Sequence, residues 1–208
     1  MHDRTLSIDD VQAPRFLYGT AWKEQETGRL SELALRAGFQ GIDTANQRRH
    51  YDEAAVGQAV AASIASGFVA RKDLFLQTKF TFRRGQDHRL PYDPSAPIPI
   101  QVEQSFAGSL GQLGTEVIDS YILHGPTLPS DLSPADREAW RAMEAIHESG
   151  RARLLGVSNV SLADEGVLGS ARRGAAGPRG AWGGSGVPAA WWSASTAWRG
   201  CSRRGTGR

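Results

Sequence analysis

Short apolar runs alternate with longer segments of helical period along the first 160 residues of the chain. Each run has the length of a strand and is bounded by Gly, Pro or charged residues, which is typical of buried β-strands. Runs that alternate with helical segments in this way indicate parallel strands joined by crossover helices. The five predicted strands are Phe16 to Ala21, Gly41 to Ala45, Leu74 to Phe80, Asp119 to His124 and Leu154 to Asn159.

Between these strands, apolar side chains recur three and four residues apart, which predicts amphipathic helices. A glycine follows each helical segment, where a residue without a Cβ most easily ends a helix. The pattern predicts an α/β fold, an incomplete parallel (β/α)8 TIM-type barrel of about five βα units. The predicted helices are Gly28 to Ala37, Asp52 to Ser66, Ile100 to Leu113 and Pro134 to Ser149, and the glycines are Gly38, Gly67, Gly114 and Gly150.

One predicted connection, Thr81 to Pro99, is long and rich in proline. Long loops in compact domains are usually functional or disordered. Because this loop follows the third predicted strand at its carboxyl end, we interpret it as a lid or a wall of a pocket.

The last forty residues differ in composition from the rest of the chain. Residues 169–208 contain seven Arg but no Asp, Glu or Lys, and no Ile, Leu, Met, Phe or Tyr. We therefore divide the chain into a partial barrel at 1–168 and a Gly/Ala/Arg/Trp-rich tail at 169–208, for which we expect disorder. A segment drawn mainly from residues with GC-rich codons suggests a shifted reading frame, and with it a truncated barrel.

Charge and cysteine content restrict the function classes. Residues 1–168 carry 17 basic and 22 acidic side chains, so the basic pI of 8.9 comes from the tail and does not point to nucleic acid or membranes. An arginine-rich nucleic-acid arm in the tail is a minor alternative. The only cysteine, Cys201, excludes disulfides within one chain. With no export signal or apolar span in the sequence, we expect a cytoplasmic protein.

Four polar residues fall at or just after the carboxyl ends of predicted strands, the rim where parallel barrels gather catalytic groups. They are Asp43 in GIDTA, Tyr51 in the following loop, Lys79 in LFLQTKF and His124 in DSYILHG. Together they would supply a proton donor, a cation, an anion that holds the cation, and an imidazole that orients a substrate oxygen. This combination favours carbonyl reduction.

These motifs resemble those of the aldo-keto reductase family. The similarity covers about residues 14–163 and includes DTA, then Y-x-E-x-x-V-G, LFLQTK, DSYILH, AMEAIHESG and GVSN. It implies NAD(P)H-dependent reduction of a small aldehyde or ketone, with Asp43, Tyr51, Lys79 and His124 as the catalytic tetrad. The Lys79 cation would lower the pKa of Tyr51 from about 10 and so make it a usable acid.

The resemblance also implies a cofactor site. Ser158 and Asn159 match the pair that binds the nicotinamide carboxamide, and Thr20 and Asp43 are further expected contacts. NADPH is the expected cofactor, with NADH as the alternative. Nothing in residues 169–208 resembles the family's phosphate-binding segment, so we expect weak cofactor binding by this chain.

Other interpretations remain open. Tyr51 lies eight residues after Asp43, through NQRRH, where many relatives have five. The chain could instead be an inactive pseudoenzyme or a non-catalytic binding module. A third alternative makes Asp43, His50, His88 and His124 metal ligands in a barrel hydrolase, but it leaves Lys79 without a role.

Overall fold

A computed structural model describes residues 4–8, 10–128 and 132–159. An antiparallel hairpin, β1 (Thr5–Ile8) and β2 (Val11–Pro14), comes first. Five parallel strands follow, paired in chain order: β3 (Tyr18–Gly19), β4 (Gly41–Asp43), β5 (Phe75–Phe80), β6 (Ile118–Leu123) and β7 (Ala152–Val157). The expected tail and its shifted frame concern residues outside the described part of the chain.

In the part of the chain that the structure describes, four α-helices form the crossovers: α1 (Thr27–Arg36), α2 (Glu53–Ala65), α3 (Ile98–Leu113) and α4 (Pro134–Glu148). The five-stranded parallel α/β architecture confirms the predicted fold class. None of the helices in the described residues is long and apolar enough to cross a membrane. Because all five strands run the same way, the residues that follow them come together at one edge of the sheet.

The predicted helix ends agree with the backbone. Gly38, Gly67, Gly114 and Gly150 all have positive φ angles, between 63° and 91°. Gly114 is itself the left-handed cap of α3. An L-residue with a Cβ is strained in this region, which explains why glycine stands at these ends.

The buried core lies between the sheet and the helices. Ile42 of β4 is fully buried and is in register with Tyr18 on one side and Leu76 on the other. On β6 the ring of Tyr121 packs edge-on against Phe106 of α3, with the ring centres 4.7 Å apart. The sheet therefore has a fixed register, which sets the height of each side chain at its edge.

The amino-terminal part departs from the sequence prediction. Only Tyr18 and Gly19 of the predicted run 16–21 are in a strand, because Phe16 lies outside the core with 78% of its surface exposed. The hairpin β1–β2 was not predicted. Its apolar residues are too few, and the strands too short, to produce a clear alternating pattern.

Candidate active site

Asp43 and Lys79 form an ion pair at the carboxyl edge of the sheet. Asp43 ends β4 and Lys79 lies near the end of the neighbouring strand β5, and Lys79 Nζ lies 2.5 Å from Asp43 Oδ1. The ammonium group also donates to the carbonyl oxygen of Thr44 at 2.9 Å. Only 6% of Lys79 is exposed, so these acceptors replace the water that the cation loses on burial.

Gln77 is a further contact of this pair, and the sequence interpretation missed it. Its Nε2 donates to Asp43 Oδ1 at 2.7 Å, while its Oε1 accepts from the hydroxyl of Ser120 at 2.9 Å. Gln77 and Lys79 are two residues apart on β5 and therefore project from the same face of the strand. That period of two could have identified Gln77 from the sequence.

The charge of Lys79 is maintained by its neighbours. Burial acts to lower the pKa of Lys79, but Asp43 and Tyr51 act against burial and the net result is a raised pKa. Lys79 is therefore a cation throughout the physiological range, and Asp43 neutralises it locally.

Tyr51 lies beside this pair in spite of the longer spacing from Asp43. Its backbone N–H donates to the carbonyl oxygen of Gln47 at 3.0 Å, which folds the loop back on itself. Lys79 Nζ lies 5.0 Å from the centre of the Tyr51 ring. The ring also meets that of His124 edge-on, with the centres 5.9 Å apart. The structure thus brings together all four residues of the predicted tetrad.

The predicted pKa of Tyr51 was wrong in direction. Burial raises the pKa of Tyr51, and the Lys79 cation, which lowers it, does not overcome burial. The Asp43 carboxylate raises this pKa as well. The protonated phenol is therefore the form that this environment favours, and Tyr51 holds a proton at neutral pH.

His124 follows β6 and is held in a fixed orientation. Its backbone N–H donates to the carbonyl oxygen of Phe80, and its Nδ1 lies 2.7 Å from the hydroxyl oxygen of Thr81. Burial, and after it the charges of Lys79 and His50, lower the pKa of His124 to about 3. The ring is consequently neutral at physiological pH and has Nε2 available for a ligand.

Trp22 and His50 border the site, although neither was predicted as part of a reductase site and His50 was considered only as a metal ligand. Their rings are tilted by 33° with the centres 3.5 Å apart, and the backbone N–H of Trp22 donates to the carbonyl oxygen of His50 at 2.8 Å. Trp22 leaves 69% of its surface exposed and has a φ of 61°. A large aromatic side chain with this exposure offers an apolar surface for a ligand at the mouth of the site.

The loop after β5 packs against the site as a wall. Gln86 is buried and donates to the carbonyl oxygens of Asn46 and Thr81. Tyr92 is buried as well, and its hydroxyl donates to the carbonyl oxygen of Thr81 at 2.9 Å. The interpretation of this loop as a pocket wall therefore agrees with its contacts, whereas movement as a lid stays a prediction.

Ser158 and Asn159 lie at the end of β7, next to His124. Ser158 N–H donates to the carbonyl oxygen of Leu123, and Asn159 Nδ2 donates to that of His124 at 2.7 Å. Asn159 is exposed and has a φ of 57°. Thr20 is fully buried, and its hydroxyl donates to the backbone oxygen of Asp43 at 2.9 Å. Thr20 thus fixes the end of β4 and does not present its hydroxyl to the opening.

Glu53, two residues after Tyr51, is a buried carboxyl group that the sequence interpretation left without a role. Its oxygens accept hydrogen bonds from the hydroxyls of Thr78 and Ser109. Burial raises the pKa of Glu53 to about 7, and the two hydroxyls and Lys79 only reduce the effect. Thr78 directly precedes Lys79, so Glu53 connects the segments that carry Tyr51 and Lys79.

The alternative of a metal site receives no support from these contacts. Within the described residues, no group of three or more His, Cys, Asp or Glu side chains is placed to hold a metal ion. The Asp43 carboxylate binds Lys79 and Gln77, and His124 binds Thr81.

Comparison with known proteins identifies the family. The family model for the Aldo/keto reductase family matches residues 16–166. The chain is 37% identical over 134 residues to an aldo-keto reductase of Bombyx mori, covering 62% of this chain and 38% of that protein. It is 34% identical over 136 residues to morphine 6-dehydrogenase of Pseudomonas putida, covering 65% and 38%.

Two solved structures share the fold. An aldo/keto reductase from Brucella melitensis has a TM-score of 0.63 and 30% identity, over 80% of this chain and 58% of that one. A Bombyx mori aldo-keto reductase in complex with NADP has a TM-score of 0.63 and 29% identity, over 80% and 53%. The chain spans 38% of the length of each of the two curated relatives named above. With the parallel sheet and the motifs in its sequence, the chain belongs to the aldo/keto reductase family.

Proposed function

We propose that this protein reduces aldehydes or ketones with a nicotinamide cofactor, preferably NADPH, and that Tyr51 is the proton donor. The proposal depends chiefly on one observation: the phenol of Tyr51, the buried ammonium of Lys79 and the imidazole of His124 converge at one edge of the sheet. Such a group can donate a proton to a carbonyl oxygen and stabilise the charge that develops on it.

Each member of the tetrad has a distinct part in this proposal. Tyr51 holds the proton because burial raises its pKa. Lys79, held by Asp43, stabilises the phenolate that forms when the proton leaves. His124 is neutral and fixed by Thr81, so it orients the substrate oxygen by a hydrogen bond without competing as an acid.

The residues at the end of β7 fit a nicotinamide carboxamide. Asn159 uses its Nδ2 on His124 and on Ser158 Oγ, which leaves its Oδ1 to accept from an amide N–H. Ser158 Oγ offers a second polar contact beside it. When bound, the reduced cofactor supplies the hydride. Thr20 and Asp43 contribute to this site by setting the rim on which the cofactor would lie.

The test is the oxidation of NADPH in the presence of a neutral aldehyde such as 4-nitrobenzaldehyde. We expect Tyr51→Phe to lower kcat by about 10²- to 10⁴-fold, the usual contribution of general acid catalysis. Tyr18→Phe is the matched control, since Tyr18 packs edge-on against Phe39 away from the tetrad. Retention of activity within a factor of three in Tyr51→Phe would refute the assignment.

The same assay decides the alternative of an inactive relative. If the wild-type chain folds but oxidises no NADPH with a panel of aldehydes and ketones, the protein is a pseudoenzyme or a binding module. A switch of the cofactor to NADH in the assay measures the preference between the two.

A further inference from the structure

Two loops beside the tetrad carry an excess of positive charge. Segments 46–51 and 81–90 contain five arginines and one aspartate. Asp87 pairs with Arg89 through a contact of 2.5 Å. The remaining cations, which we call the arginine rim, are exposed and form no ion pair with another described residue; they are Arg48, Arg49, Arg83 and Arg84.

The backbones that carry the arginine rim are fixed to each other. Gln47 Nε2 donates to the carbonyl oxygen of Gly85 at 2.7 Å, and a guanidinium nitrogen of Arg89 donates to that of Arg48 at 2.7 Å. Gln86 Nε2 donates to the carbonyl oxygen of Asn46 at 2.8 Å. These bonds cross between the loops and hold them together as one structure.

Both loops connect directly to the tetrad. Arg49 is followed by His50, whose ring packs against Trp22, and then by Tyr51. Arg83 and Arg84 follow Thr81, the hydrogen-bond partner of His124. The loops that carry the arginine rim are thus continuous with the segments that carry the tetrad. The charge of Arg49 acts on the ring of His50, whereas Arg48 lines a cavity with Gly108 and Gln112.

Nearby acids offset only part of this charge. Asp52 keeps its negative charge while it accepts from the backbone N–H of Ala55 at 3.0 Å, so it offsets one of the four positive charges, and Glu26 pairs with Arg29. Inside the site, Asp43 is neutralised by Lys79. The charge of Arg49 acts on the ring of His50: burial is the largest cause of the lowered pKa of His50, and Arg49 is the second.

We propose that the arginine rim binds the anionic group of the substrate, so that the preferred substrates are aldehydes or ketones that also carry a carboxylate or a phosphate. This inference rests on the proposed reductase function. Guanidinium groups bind both anions with paired N–H donors, and a surface of one sign draws such substrates to the opening. The exposed ring of Trp22 contacts the apolar part of the same molecule.

The test compares aldehydes of the same carbon number, one with an anionic group and one without it. Butanal and 4-oxobutanoate have four carbons each, and glyceraldehyde is compared with its 3-phosphate to separate phosphate from carboxylate. We expect kcat/KM of the wild type to be at least about tenfold higher for the anionic member of a pair, in the range of a few charge-assisted contacts at an exposed site. Increasing salt should lower that ratio.

Two double variants locate the effect. Each variant removes two positive charges from the arginine rim: one combines Arg48→Gln with Arg49→Gln, and the other combines Arg83→Gln with Arg84→Gln. We expect the anionic-to-neutral ratio to fall about tenfold in at least one of them. The control, Lys72→Gln with Arg141→Gln, removes the same charge from exposed positions before β5 and on α4 and should keep the wild-type ratio.

A binding measurement separates this inference from the proposed function. If the wild type reduces no member of the panel of aldehydes and ketones, butanal and 4-oxobutanoate included, the reductase proposal fails. Calorimetric titration with 4-hydroxybutanoate and with butanol then tests the arginine rim alone. The inference is supported if the wild type binds 4-hydroxybutanoate more tightly than butanol and the rim variants lose this preference. The inference is overturned if wild type and rim variants have equal anionic-to-neutral ratios of kcat/KM, or if both ligands bind equally. It is also overturned if the arginine rim binds an oligonucleotide but does not discriminate between the aldehydes.

Discussion

Replacement of the buried Glu53 by glutamine should stabilise the protein at neutral pH and not in acid. Glu53 is 3% exposed, and its two oxygens accept from Thr78 and Ser109. Glutamine has the same shape, and a hydroxyl can accept from its amide as readily as it donates to a carboxylate. Glu53→Gln therefore keeps both contacts and removes only the ionisable group.

The direction of this change in stability follows from the raised pKa of Glu53. Unfolded, Glu53 releases its proton near pH 4.5, whereas the folded protein keeps it until about pH 7. Between these values the native state binds more protons than the unfolded state, so stability falls as the pH rises. One pKa unit corresponds to about 1.4 kcal/mol, which makes the full penalty about 3 kcal/mol above pH 7. Below pH 4.5 both states are protonated and the penalty disappears.

The assay is unfolding by urea, followed by circular dichroism at pH 4.5, 6 and 7.5. We expect the free energy of unfolding of Glu53→Gln, minus that of the wild type, to increase by about 3 kcal/mol across this range. Subtraction removes the other titrating groups, which both proteins share. Glu116→Gln, at an exposed position in the loop before β6, should show a flat difference. A difference for Glu53→Gln that stays constant within about 0.5 kcal/mol would refute the reasoning.

Two further predictions concern packing and charge. A Cβ at Gly57 of α2 would lie 2.0 Å from the backbone oxygen of Gln112, so Gly57→Ala should lower the free energy of unfolding in urea by about 3 kcal/mol. The control is Gly111→Ala, where a Cβ has nothing within 4 Å and the free energy of unfolding should stay the same or rise. The ring nitrogens of His124 should keep the NMR chemical shifts of a neutral imidazole from pH 5 to pH 9, because burial, Lys79 and His50 lower the pKa of His124 to about 3. A titration midpoint near pH 6.5 in these shifts would contradict this. In the unfolded protein His124 gains a proton below pH 6.5, whereas in the folded protein it stays neutral. The free energy of unfolding should therefore decline as the pH falls through 6.5.

The fold was largely predictable because its signals are periodic. Apolar runs and helical segments repeat through 16–159, and positive φ angles follow where the glycines stand. The hairpin Thr5–Ile8 and Val11–Pro14 lacked such a signal, since two four-residue strands cannot establish a period. Strand ends were displaced by one or two residues, as at β7, because hydrogen bonding and not hydropathy defines them.

The positions of the tetrad were predictable because parallel strands share one carboxyl edge. Asp43 ends β4, Lys79 is the last residue but one of β5, and His124 directly follows β6, so their convergence follows from topology. The loop to Tyr51 has no such constraint: its path depends on Gln47 and on contacts with residues far along the chain. Side-chain partners such as Thr81 depend on distances that no pattern of residue types contains.

The pKa of Tyr51 shows why charge alone was insufficient. A lysine beside a tyrosine favours the phenolate, but Lys79 is paired with Asp43, and the carboxylate raises the pKa that the ammonium lowers. What remains of the electrostatic effect is smaller than the cost of placing a phenolate away from water. The same burial keeps His124 neutral, so Tyr51 holds its proton next to a neutral imidazole and a fixed cation. In the function proposed above, a carbonyl oxygen at this place would therefore take its proton from Tyr51 and not from the imidazole.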